Sequence, residues 1–416
     1  MPRDAPLVVG LVSGSHVVNH AYLLLFAPAF SLLSADFGVS LAQLGLAVGL
    51  INAVVTVGQL PLGYISDSYS HAAVLVGSLA VGTLGCGLAA LAPSYEWLLA
   101  AAAVMGLGVA GHHPAHYPLI SAAAPDAYRS RAYSAHGFAG ALGLALPFAV
   151  VPAAVALGFG WQAAFGAIAA LGAVYTVITV LVVRRLPHSI TRAGAEARDG
   201  EESVVDALRT VETTADRLRL LGARAAAYFR TIAGAPLILL LTALWFVNSA
   251  AIWGVRAYAA TLLDVGYGLD SGTASLVASA MLVVGAVILL GGGYVADRIG
   301  PTPMLFVGYG SLVVFAAALS TALLPALAAV GVVLLLAATV DISRPARATL
   351  TDLASERRDV GKNFALMTIG ISAGGAVAPP AFGYAIEVAG VYAAFTGVAA
   401  TAGIALLLSV SVARAA

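Results

Sequence analysis

Apolar runs long enough to cross a bilayer recur twelve times along this chain, and no other feature restricts its fold as much. A helix needs about 20 apolar residues to span the ~30 Å hydrocarbon core. Breaks at Pro, Gly and charge clusters mark such runs at 7–33, 41–65, 72–92, 97–123, 131–157 and 161–183. Six more follow at 235–263, 272–296, 302–323, 326–352, 361–386 and 390–412. Of the 416 residues, 61% are hydrophobic and 10% are charged, a balance that a soluble fold could not hide behind its surface. The expectation is an all-α polytopic membrane protein of twelve spans, with 45 glycines suited to close helix packing.

Charge placement orients the spans. An even number of crossings puts both termini on one side. That side also holds the segments at 66–71, 124–130, 184–234, 297–301 and 353–360. Of the 20 Lys and Arg, 17 fall at or beside those segments or the termini, and Arg256, Arg344 and Arg347 lie inside spans. The positive-inside rule then makes both termini cytoplasmic, in a cell membrane. The start, "MPRDAPLVVGLVSGSH", has no basic n-region and reads as a lead-in to the first span rather than a cleaved signal. A net charge of zero gives no basic signal for nucleic acid. Cys86, the one cysteine, excludes an internal disulfide and a cysteine-based metal site.

The chain repeats itself. "GYISD" at 63–67 returns as "GYVAD" at 293–297, "GWQAAF" at 160–165 as "GVYAAF" at 390–395, and His113-Pro114-Ala115-His116 as Arg344-Pro345-Ala346-Arg347. Three matches at offsets of 230 or 231 residues indicate two six-helix bundles in parallel repeat, 1–185 and 234–416. The polar segment between them, 186–233, has apolar residues at helical spacing. It reads as a cytoplasmic linker with an amphipathic helix on the membrane surface.

This arrangement resembles the major facilitator superfamily over essentially the whole chain. In that family the loop after the second span follows G-x-x-x-D-[RK]-x-G-[RK]. The second-half copy keeps Gly293, Asp297, Arg298 and Gly300, with Pro301 in place of a basic residue. The first-half copy keeps Gly63 and Asp67, while Ser68, Ser70 and His71 replace the rest. The resemblance implies that these residues help latch one bundle to the other. Within the superfamily, span 1, the His-Pro of span 4 and the Gly-rich span 5 are similar to the fosmidomycin-resistance group of exporters. That group's acidic residues are replaced here by His20 and Ala115, so its drug substrate does not carry over. The superfamily resemblance also implies that spans 1, 4, 7 and 10 line a central cavity.

Ionisable groups inside the membrane are expensive, and a pathway role is their default reading. His16, Asn19 and His20 share a helical face, His112, His113 and His116 share another, and Asp341, Arg344 and Arg347 form a stripe. At 1.5 Å per residue these groups lie roughly 9–19 Å from the terminal side. Pro114 and Pro345 are expected to kink their helices beside them. His136 on span 5 reads as the histidine best placed to bond a neighbouring helix. Asp341 reads equally as a packing partner of Arg344. Span 7 adds Asn248, Trp253, Arg256 and Tyr258, with Arg256 either an anion contact or a partner of Asp264.

Three chemistries compete for these residues. A divalent metal transporter would use His16, His20, His112 and His116 as neutral ligands, but Arg344 and Arg347 would repel the ion. An anion suits the arginines, whose guanidinium pairs bidentately with carboxylate or phosphate. Histidines that change charge near neutral pH would then couple protons, with His20, His113, His116, His136 and Asp341 as candidates. Apolar drug efflux is the third. No Walker lysine motif, nucleophile elbow or HExxH points to an enzyme, and Lys362 is the one lysine. The reading is a proton-coupled secondary transporter, symporter or antiporter, for a small organic, anionic solute or drug. It needs no cofactor and works as a monomer in the bilayer. A non-transporting ligand sensor that signals through 190–230 is the other class considered.

Overall fold

In the lipid interior every backbone donor and acceptor has to be satisfied within the chain, and helices do this within a single segment. The computed structural model describes residues 4–192, 236–354 and 360–415, with Thr213, Asp216 and Arg219. Within that range, the side chains of 126, 127, 130, 290–297, 338, 340–342, 344, 345, 348, 352, 360–365 and 415 are not described. The amphipathic helix expected in 186–233 thus falls almost wholly outside the described residues. So do the side chains of Gly293, Asp297, Asp341, Arg344 and Pro345, although their backbone is helical.

The first six spans run Asp4–Phe37, Leu41–Ser68, His71–Ala90, Tyr95–Ala123, Asp126–Ala156 and Trp161–Val183. The second six run Pro236–Gly266, Ser271–Ile299, Pro301–Ser320, then a pair of helices Ala326–Ile342 and Arg344–Leu353, then Val360–Ala389 and Val391–Ala415. Eleven of these are long and apolar enough to cross a membrane on their own among the described residues. Span 10, expected as one helix over 326–352, is interrupted at Ser343. Pro345 has no N–H for residue 341, and a proline ring crowds the preceding turn, so the break falls where a helix has to open. Pro114 differs, since span 4 stays continuous through both Pro114 and Pro118.

Turn chemistry sets the helix starts. The Ser40 hydroxyl accepts from the Gln43 amide and the Gln43 side chain accepts from the Ser40 amide, a reciprocal cap on span 2. Ser70 and Ser94 cap spans 3 and 4 the same way through one bond each. Beyond span 6, the short helix His188–Thr191 is tied back by Ser70, whose hydroxyl donates to the Thr191 carbonyl at 2.8 Å.

Small residues let the helices touch. Spans 3 and 4 cross where Gly82 faces Gly108, and a Cβ on Gly108 would overlap backbone atoms of Gly82. Overpacking of this kind costs about 1–3 kcal/mol. Gly108→Val should therefore lower the thermal unfolding midpoint of the detergent-solubilised protein by several degrees. Gly77→Ala, which adds a methyl with nothing within 4 Å, should leave it unchanged.

The two halves meet at the end away from the termini. Span 2 packs along span 11, where Gly45 and Gly49 lie against the backbone of Pro379 and Ala376, and Gly383 lies against Leu41 and Ala42. The Ala42 amide donates to Glu387 at 2.5 Å, and Phe30 approaches Tyr258 with ring centroids 5.6 Å apart. Span 5 packs along span 8, with Ser275 and Ser279 donating to the Phe148 and Ala145 carbonyls at 3.1 Å. These contacts hold the two sets of helices together at that end.

Candidate functional site

Span 1 presents His16 and His20 one helical turn apart. The opposing wall of span 5 carries glycine where they arrive. A Cβ on Gly140 would occupy the His16 ring, and one on Gly143 would meet the Val17 carbonyl and the Cβ of His20. The space these glycines leave lets both imidazoles reach span 5 backbone. His16 Nδ1 lies 2.8 Å from the His136 carbonyl oxygen, and His20 Nδ1 lies 3.0 Å from that of Gly140. The two Nε2 atoms face each other at 2.8 Å.

Span 4 closes the group from the other side. His116 Nδ1 is 2.9 Å from His112 Nδ1, and His112 Nε2 is 3.0 Å from the Ser15 hydroxyl, which itself donates to the Val12 carbonyl. His136 of span 5 stacks on His16 with centroids 4.0 Å apart and planes 12° from parallel. His113 lies 5.6 Å from both His16 and His20, ring to ring. All six intramembrane histidines thus form one nest, in which His16, His112, His116 and His136 are buried. His136, expected to bond a neighbouring helix, is a full member. His116 Nε2 is buried with no hydrogen-bond partner among the described residues.

Asn19, read with His16 and His20 as one face, is buried with neither amide atom hydrogen-bonded among the described residues. One ring nitrogen each from His16, His20 and His113 lie within 4.8 Å of one another, as do one each from His112, His113 and His116, a spacing an ion could also use.

In the second half, Arg347 is 2% exposed, and its guanidinium lies over the Trp245 ring at 4.1 Å. Its Nε donates to the Ser343 carbonyl at 3.4 Å, the same carbonyl that accepts from the Arg347 amide at 3.1 Å. With its amide turned oxygen-first, Asn248 accepts from both terminal nitrogens, one of them at 3.2 Å. Trp245 in turn donates to Thr351 at 3.4 Å. Arg347 and Asn248, singled out in sequence, therefore belong to one cluster in the C-terminal half, while the described contacts of His113 and His116 are with other aromatic rings of the N-terminal half. Trp245, Ser15 and the two span 5 carbonyls are partners that sequence reasoning missed. The glycines at 140 and 143 were the trace they left.

The remaining candidates lie elsewhere. Tyr258 is fully buried in the seam, where its hydroxyl donates to the Pro379 carbonyl at 2.6 Å and faces that of Leu41 at 3.3 Å. Trp253 also joins the seam, its indole nitrogen beside Gly375 and Asn52. Arg256 is partly buried on the same span. In the first-half loop, Ser66 bonds His71 Nδ1 at 2.8 Å, and Asp67 lies 3.9 Å from the same nitrogen. His71 thus stands beside Asp67, where the family pattern has a fixed positive charge. Gly63 packs near Pro114 of span 4. Arg298 and Gly300 close span 8, and Gly300 takes a φ of 86° at the turn into span 9.

These features can be set beside known proteins. Residues 12–355 match the family model of the Major Facilitator Superfamily. The niacin transporter NiaP of Acinetobacter baylyi (strain ATCC 33305 / BD413 / ADP1) is 27% identical over 159 residues, 37% of this chain. The alignment spans about a third of that relative's length, 34%. A bacterial homologue of the human lysosomal transporter Spinster, solved inward-facing and unoccupied, superposes with a TM-score of 0.77. It has 14% identity, over 100% of this chain and 98% of that one. A point mutant of the nucleoside transporter NupG gives a TM-score of 0.74 at 12% identity, covering 98% and 99% of the two chains. At such identity the two structures speak for the fold alone. The family match over most of its length, with an all-helical fold among the described residues, makes this chain a member of the Major Facilitator Superfamily.

Proposed function

We propose that this protein is a proton-coupled secondary transporter of a small organic anion, working by alternating access. The carrying observation is a division of labour across the repeat. A permanent positive charge, Arg347, is set in the C-terminal half over Trp245 and Asn248. Six imidazoles, the one side chain type that ordinarily changes charge near neutral pH, gather in the N-terminal half. A buried guanidinium suits a carboxylate or phosphate, which it can hold through two parallel bonds. The family and its fold are those of transporters rather than enzymes.

The two six-helix units, 1–185 and 234–416, rock about the solute, and 186–233 tethers them. The present state is sealed at the end away from the termini, which the basic-residue count assigns to the outside of the cell membrane. The Spinster homologue that superposes on the chain is likewise named inward-facing. Protons enter with the solute or exchange for it, and the protein acts as a monomer.

The relatives' names suggest the probes. Proteoliposomes holding the full chain should take up an aromatic carboxylate such as nicotinate in preference to an uncharged nucleoside. Uptake should respond to an imposed pH gradient, faster with the trans side more alkaline if protons enter with the solute and with the trans side more acid if they exchange for it. Saturable flux of zinc without flux of any organic anion would overturn the reading.

A further inference from the structure

The two short histidine pairs of the nest look alike, but their hydrogen atoms balance differently. A carbonyl oxygen accepts only, so His16 Nδ1 and His20 Nδ1 both carry hydrogen, donated to the carbonyls of His136 and Gly140 at 2.8 and 3.0 Å. A neutral imidazole has one N–H. If both rings were neutral, both Nε2 atoms would be bare lone pairs, yet they face each other at 2.8 Å. That contact repels unless something positive sits between them.

The pair on span 4 has no such need. Ser15 gives its hydrogen to the Val12 carbonyl and therefore accepts from His112 Nε2. His112 Nδ1 is then bare and accepts from His116 Nδ1. Every link of that chain, from His116 through His112 to Ser15, is satisfied with neutral rings.

We propose that His16 and His20 form a single proton-binding site, one proton held between their Nε2 atoms. A proton from water at the open end forms an N–H bond to one Nε2, and the other Nε2 accepts it in a charge-assisted bond. On release the N–H bond breaks, the proton returns to water, and both rings become neutral. The distance favours a proton over a metal. Two nitrogens bound at about 2.0–2.1 Å to a tetrahedral zinc stand roughly 3.3 Å apart, well beyond the separation found here. No carboxylate among the described side chains of the nest would balance a divalent charge. Among the described residues, the ionisable groups facing the pair are His112, His113 and His116 on span 4 and His136 on span 5. With those rings 4.0–5.6 Å from His16, a second positive charge would be repelled, so the nest holds one proton. This assignment deepens the proton-coupled reading above by naming the atoms and the count.

The test needs no solute and so fails separately from the transport reading. Full-length protein labelled with 15N-histidine, in nanodiscs, should show a through-hydrogen-bond coupling between two Nε2 nuclei at mildly acid pH. Raising the pH should abolish it and release one proton more per chain than the His20→Gln protein releases. His20→Gln should lose both the coupling and that proton, while His112→Gln keeps both. Wild-type Nε2 signals of His16 and His20 that both stay at the bare lone-pair position in acid would overturn the proposal. So would His20→Gln protein that releases as many protons as wild type, or stoichiometric zinc retained on purified protein and lost in His20→Gln.

Discussion

Replacing Arg347 with glutamine is expected to reduce organic-anion uptake by at least 100-fold while leaving the fold in place. A hydrogen bond to a charged group contributes about 1.5–3 kcal/mol, and an arginine makes two to a carboxylate. Losing the pair removes roughly 3–6 kcal/mol of binding, and each 1.4 kcal/mol is a factor of about ten. Glutamine keeps much of the side-chain length and a donor for the Ser343 carbonyl. It gives up the charge that lies over Trp245 at 4.1 Å. Arg347→Lys keeps the charge without the planar fork and should fall between the two. Uptake of labelled nicotinate, with thermal unfolding of the same preparations, separates the outcomes. A variant that unfolds earlier but still transports would make Arg347 a packing residue only.

The second large effect is expected at the seam. Gly49 meets the Ala376 backbone, and a side chain there has no flexible neighbour to displace. Gly49→Val should therefore disfavour the state sealed at the far end by about 1–3 kcal/mol, a shift of roughly 5- to 150-fold toward the opposite opening. Spin labels at Leu91→Cys and Leu323→Cys report on this, since both positions are exposed at that end on opposite halves, and Cys86 is buried. The expected change is loss of the short-distance population and growth of a longer one. An unchanged distribution would mean that the glycine stripe does not set the conformational balance.

Much of this architecture was legible in the sequence because lipid imposes a simple rule. Apolar length and basic flanks set the spans to within a few residues. The break at Ser343 was foreshadowed by Pro345 two residues on, but the same proline signal at Pro114 left span 4 intact. Proline marks a weak point in a helix, and tertiary packing decides whether it opens. For the site, helical periodicity put His16 with His20 and His112 with His116 on shared faces. It could not show which spans would pack together, and that decides partners. His136 joined the nest because span 5 lies on span 1 at Gly140. Arg347 found Trp245, one helical turn before Asn248, because span 10 lies on span 7. Tyr258 and Trp253, read as cavity residues, have their described contacts in the seam and in neither cluster. The carbonyls that fix the protons of His16 and His20 are backbone groups, invisible to any reading of side-chain pattern.

Coupling between proton and solute is read from their simultaneous fluxes. Nicotinate and proton fluxes are recorded together in proteoliposomes across an imposed pH gradient, for wild type and for His16→Gln plus His20→Gln. Wild type is expected to show gradient-driven accumulation against the solute's own concentration, with one proton moving per anion. The double variant is expected to show passive equilibration only. Accumulation in the double variant equal to that of wild type, or a wild-type flux indifferent to the gradient, would contradict that coupling.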